Sequence, residues 1–155
     1  MKQVHFIRIV RLSACYDMLA TWPFATPWTF AIAYAQLSGA AKALGLPGAT
    51  PPLDVMHTLL ANLLGSVVLV WSLARLLRPS VALGRLDAVA RLLFATWQIQ
   101  AVHSGASQVI LAFTAFELLF GALQLLPTDR CGAVYGRTQA PPGKISIASP
   151  YEKKR

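Results

Sequence analysis

The sequence predicts an all-α polytopic membrane protein, a four-transmembrane-helix bundle carrying an additional outer interfacial or re-entrant helix. Three observations predict it. Of the 155 residues 55% are hydrophobic and only 13% charged, and the mean hydropathy is +0.53, well outside the usual composition of a soluble domain. Apolar stretches recur at lengths that suit a hydrocarbon core of about 30 Å, each crossing consuming about 20 residues. Lys and Arg gather at positions flanking these stretches, as the positive-inside rule requires.

The clearest crossing is residues 54–75, built on VMHTLLANLLGSVVLVWSLA, uncharged between Asp54 and Arg75. Residues 86–104 supply the next, and the HSGAS turn joins it to a last crossing at 107–126. Pro79 and Pro127 end the first and third of these segments, because proline cannot continue a helix from within. The first 50 residues hold one crossing by parity. If the Arg75–Arg85 connection is cytoplasmic, Asp54 lies outside, and a cytoplasmic Lys2, Arg8 and Arg11 end needs an odd number of crossings before it. Residues 4–22 are assigned to that crossing, with Arg8 and Arg11 snorkelling, and 27–44 to the outer interfacial or re-entrant helix. The alternative makes 22–41 the crossing and lays the N-terminal helix on the inner surface. Either way residues 1–127 form the membrane domain with both termini inside. Trp22, Trp28, Trp71 and Tyr34 fall near segment ends, as anchoring aromatics do.

The net charge of +8 and the pI near 10.1 do not indicate nucleic acid, since the basic residues form no single patch interleaved with aromatics. Residues 128–155 read as a flexible basic cytoplasmic tail in contact with anionic lipid. Its APPGKIS lacks the glycine spacing of a phosphate-binding loop. Cys15 and Cys131 have no paired spacing, and Cys131 falls in the cytoplasmic tail, so no structural disulfide is expected. The basic, hydrophobic N-terminus is read as retained, because no small-residue cleavage site follows a short apolar core.

Polar residues inside the crossings carry the functional question. Glu117 lies midway along AFTAFELLFGALQLLP, where an ionised carboxylate is expensive. Thr114, Glu117, Gly121 and Gln124 share one helical face, which must therefore meet other helices. Matching stripes run through Asp54, His57, Thr58, Ala61, Asn62 and Gly65 and through Thr96, Gln100 and His103. Asp17 is expected in the outer half of the first helix. Candidate ligand-binding residues are thus Asp17, Asn62, Gln100 and Glu117, lining an outer-facing polar pocket with Glu117 as its floor. Asn62 also suits a purely interhelical hydrogen bond, Asp54 a helix cap, and the Asp87–Arg91 pair an anchoring role at the cytoplasmic end. Asp54-x-x-His57 with His103 opposite is the candidate set for a divalent metal, although its spacing is no diagnostic motif.

The segment AFELLFGALQLL resembles the Glu-Leu-Leu-x-Gly stretch of DoxX-like proteins, small four-helix bacterial inner-membrane proteins. The resemblance implies a bacterial inner-membrane location, functions that are mostly unassigned, and redox or quinone partners in some members; only Glu117 and Gly121 carry over.

Without a catalytic motif, binding is favoured over catalysis: a small apolar or amphipathic ligand, or a partner membrane subunit, would enter the outer-facing pocket. The alternatives are a lipid- or quinone-modifying enzyme using Glu117 or Asp17 as acid/base, and a metal-handling accessory protein. The partners implied are the bilayer and either another membrane protein or further copies of the chain. The sequence names no cofactor.

Overall fold

In the computed structural model, residues 1–128 are described; the expected basic tail lies outside these residues apart from Thr128, as does Cys131. The order is α1 (Gln3–Thr21), a 3-10 turn (Trp22–Ala25), α2 (Pro27–Ala43), α3 (Val55–Leu77), α4 (Val81–His103) and α5 (Ile110–Leu125). Every described element is helical, and the single β-bridge joins Ala49 to Ala106.

Local chemistry sets each boundary. Pro23 cannot donate to the preceding turn, so α1 tightens into the 3-10 turn instead of running on. Thr26 then caps α2 by accepting from the Thr29 N–H at 3.3 Å, with Pro27 as its first helical residue. Asp54 caps α3 through the His57 N–H at 2.7 Å. Ser80 caps α4 through the Leu83 N–H at 3.1 Å, so α4 begins at Val81 and not at residue 86, the start set by apolar content. Hydropathy ended that segment before Arg85, but the helix continues because Arg85 has a use. Its guanidinium donates to the Gln124 and Leu126 carbonyls at 2.8 Å each, satisfying the last turn of α5. The start of α5 moves the other way, to Ile110, because Ser104–Val109 form the turn that pairs with the loop after α2.

That pairing depends on glycine. Ala49 N–H donates to Gly105 O at 2.8 Å and Ser107 N–H returns to Ala49 O at 3.1 Å. Beside it Gly48 has φ +101°, and a Cβ there would lie 2.3 Å from Ala106 O. Gly48→Ala is expected to part the two loops and to cost about 1–3 kcal/mol, the range for a strained backbone position, read as a lowered unfolding midpoint. An unchanged midpoint would show that the bridge is dispensable.

The helices pack as two antiparallel pairs, α1 with α3 and α4 with α5, and α1 touches both members of the second pair. Asp17 faces Arg75 while Phe24 meets Gly65, fixing the direction of α3 against α1. Phe6 and Val10 abut Gly84 near the α4 start, so α1 and α4 run in the same direction. The chain start, the Arg78 connection and the α5 terminus therefore share one end, called here the basic end; Met1 even donates to Pro127 O at 2.7 Å. The α2 helix packs on the 3-10 turn and on α3, towards the opposite end.

The distribution of polarity is the reverse of a water-soluble bundle. Arg75 and Arg91 are 0% and 2% exposed, whereas Val67 and Val70 are 65% and 69% exposed, with Leu60, Leu63, Leu93 and Leu119 likewise on the outside. Among the described helices α3 alone is both long and apolar enough to cross a membrane; α5 is apolar but 16 residues long, about 24 Å at 1.5 Å per residue. The other candidates for crossing carry the charges described next.

Candidate functional site

Each of the four bundle helices brings a pair of polar residues to one level of the interior. Helix α1 contributes Ser13 and Asp17, one turn apart; α3 contributes Ser72 and Arg75; α4 contributes Asp87 and Arg91; α5 contributes Glu117 and, two turns on, Gln124. All face inward, and their side chains close into one network.

The two guanidiniums organise it. Arg75 Nη2 lies 2.5 Å from Asp17 Oδ2 and donates to Ser72 Oγ at 3.1 Å, while its Nη1 lies 2.5 Å from Asp87 Oδ2. Arg91 spreads over three helices, with Nε donating to Asp87 Oδ2 at 3.0 Å, Nη1 to Glu117 Oε2 at 2.7 Å and Nη2 to Asp17 Oδ2 at 2.6 Å. Asp87 is the most heavily used acid. Its Oδ1 accepts from the Trp71 indole at 3.0 Å and its Oδ2 from Gln124 Nε2 at 2.9 Å. Gln124 also donates to Ser13 Oγ at 2.7 Å. Removing this many charges from water is costly, and only mutual pairing offsets it. The planar fork of arginine suits the task, because its separate nitrogens reach separate acids. The α1/α5 side of the cluster is aromatic: Tyr16 stacks on Phe116 at 4.8 Å and meets Phe120 at 5.5 Å, and the Arg91 guanidinium lies over the Phe120 ring.

Of the residues expected to bind a ligand, Asp17 and Glu117 are in this cluster, joined through Arg91. Asp17 lies near the C-terminal end of α1, in the half of that helix away from the chain start, where it meets Arg75 and Arg91. Asn62 is elsewhere on α3 with its Oδ1 buried and unpartnered. Gln100 is exposed and makes only a long contact with Ser104. The reason is helical phase, since Gln100 follows Arg91 by nine residues, half a revolution from the inward face. His103 is exposed for the same reason. Asp54 and His57 pair with each other at 2.9 Å on the exposed start of α3, and the His57 N–H bond holds the Asp54 carboxyl below its ordinary range. His103 does not join them; no group of three His, Cys, Asp or Glu that could hold a metal occurs among the described residues.

Arg75, Asp87 and Arg91 carry the cluster, yet the sequence assigned Arg75 to a membrane flank and the Asp87–Arg91 pair to anchoring. The available signal was spacing: Ser13 to Asp17, Ser72 to Arg75 and Asp87 to Arg91 are each one turn apart on their own helices. The chain matches no family model, no curated protein and no solved structure. Its function is therefore argued from these residues alone.

A second feature lies at the far end of the bundle. A cleft of about 310 Å³ opens between α2, the loop before α3 and the α4–α5 turn, with Phe30, Tyr34, Ser38, Pro52, His57 and Ile110 among its walls. The Tyr34 hydroxyl donates to Pro51 O, tying α2 to that loop, and Ser38 Oγ is buried without a partner. The walls are mainly apolar with a few polar groups, the character of a small-molecule site near the lower end of the usual size range.

Proposed function

We propose that this chain is a multi-pass inner-membrane protein, with α1, α3, α4 and α5 crossing and the basic end cytoplasmic, that binds a small amphipathic ligand in the cleft at the opposite end. The observation that carries the membrane reading is the inverted polarity: ion pairs within, leucines, valines and aromatics without. In water the exposed apolar surface would aggregate; in lipid it is solvated, and polar groups turn inward. Internal pairing also explains how α1 and α4 could cross despite Asp17, Asp87 and Arg91. Asp17, Asp87 and Arg91 are paired inside the bundle, while Arg8 and Arg11 of α1 stay exposed.

Binding is preferred over catalysis because Asp17 and Glu117 are mostly buried on Arg91 in the bundle interior, away from the cleft that can admit a ligand. The cleft, in contrast, combines aromatic walls with the imidazole of His57 and the idle hydroxyl of Ser38. The Glu117–Gly121 segment, on which the resemblance to DoxX-like proteins rests, forms the α5 side of the cluster; membership of that family is part of this proposal.

Alkaline carbonate washing should leave the full chain in the membrane fraction, and its release would overturn the membrane reading. In proteoliposomes, a panel of small aromatic alcohols and phenols is expected to raise the thermal midpoint of the wild-type chain. Ser38→Trp, which fills the cleft, should abolish the shift while keeping the unliganded midpoint. A panel without effect, or shifts that survive Ser38→Trp, would remove the cleft as the site.

A further inference from the structure

We infer that the buried cluster binds one exchangeable proton, held on Glu117, and that this proton is what balances its charge. The cluster contains three carboxylates, Asp17, Asp87 and Glu117, and two guanidiniums, Arg75 and Arg91. With all five ionised it holds one negative charge in excess inside a bundle whose surroundings are apolar. An unbalanced charge there is costly and is removed most cheaply by taking up a proton from the aqueous phase.

The hydrogen bonds indicate where that proton goes. Asp87 uses both oxygens, one on Trp71 and the other on Arg91, Gln124 and the nearby Arg75. Asp17 accepts through Oδ2 alone, from both arginines. Glu117 accepts through Oε2 alone, from Arg91. Gln124 Oε1, wholly buried among the same groups, accepts from nothing, and Asp17 Oδ1 and Glu117 Oε1 carry no hydrogen bond within the cluster. A proton on one of these carboxyl oxygens cancels the excess charge without displacing an existing partner. Glu117 has a single cationic partner where Asp17 and Asp87 have two, and its side chain is 12% exposed against 4% for Asp87. Adding a proton at Glu117 Oε1 forms one O–H bond, breaks none within the protein and leaves the ion pairs of Asp17 and Asp87 intact. The charged and titratable groups facing it are Tyr16 and Asp17 from α1 and Asp87 and Arg91 from α4.

The test uses the full chain in lipid nanodiscs. pH-difference infrared spectroscopy is expected to show one titrating carboxylic-acid carbonyl band, absent in Glu117→Gln and also in Asp17→Asn, since either change already neutralises the excess charge. Thermal unfolding supplies the second readout. Glu117→Gln should keep or raise the midpoint, whereas Asp87→Asn should lower it. The absence of a titrating band from the wild-type chain, its survival in both variants, or a Glu117→Gln chain as unstable as Asp87→Asn would overturn the inference.

Discussion

Arg91→Met is expected to be the most damaging single substitution in the bundle. It removes the group that touches Asp17, Asp87 and Glu117 together, leaving three acids at the interior with Arg75 alone to balance them. Breaking a buried pair by deleting one partner costs about 3–5 kcal/mol, a large part of the total stability of a domain this size. The expected readout is loss of a monodisperse species on size-exclusion chromatography, or a midpoint well below wild type in a reconstituted preparation. Arg91→Lys should recover only part of the loss, because one ammonium cannot present three separately directed nitrogens. Replacing the cluster as a whole with apolar residues of similar volume should cost less than Arg91→Met, since no charge is then stranded. Wild-type stability in Arg91→Met would show that the pairs do not hold the helices together.

The second large effect is steric. Gly65 lies where α3 crosses the 3-10 turn, and a Cβ there would stand 2.6 Å from Phe24 Cβ, 2.7 Å from its carbonyl carbon and 2.8 Å from its oxygen. Backbone atoms cannot move aside as a side chain can, so Gly65→Leu must push the turn off α3. Overpacking of this kind costs about 1–3 kcal/mol and sometimes more. Gly39 is the control: nothing lies within 4 Å of a Cβ built there, and Gly39→Ala in mid-helix should stabilise by up to about 1 kcal/mol. Equal midpoints for the two variants would show that the crossing tolerates expansion. The stripe from Asp54 to Gly65 was legible as one helical face, but not its partner at Gly65, which is a turn of the chain and not another crossing.

Much of the architecture was open to sequence reading because it depends on local rules. The helix at Pro27–Ala43 follows from its proline and its threonine cap, and Val55–Leu77 from its capping aspartate and its length. The shared face of Thr114, Gly121 and Gln124 was read from spacing alone, and all three are buried. The start of α4 was misplaced because hydropathy treats Arg85 as a terminating charge, whereas its guanidinium reaches a neighbouring helix end.

The candidate site was half legible. Asp17 and Glu117 stood out because a carboxylate in an apolar run has no local explanation, and the structure gives both the same partner. Arg75 and Arg91 did not stand out, since an arginine near the end of an apolar helix has a ready local explanation in the interfacial anchor. Gln100 and His103 were selected for polarity within a crossing, although their phase turns them away from the bundle.

By itself the sequence determined where the helices are, which faces of α3 and α5 turn inward, and that the chain is dominated by apolar surface, because caps, prolines and helical periodicity act within a few residues. Only the tertiary structure decided what those faces meet. Burial and pairing of a charge depend on residues 58, 74 and 78 positions away in the chain, and no periodicity within one helix records its partner's phase or depth. Asp17, Arg75, Asp87, Arg91 and Glu117 became one charge-bearing unit when four helices set them at a common level.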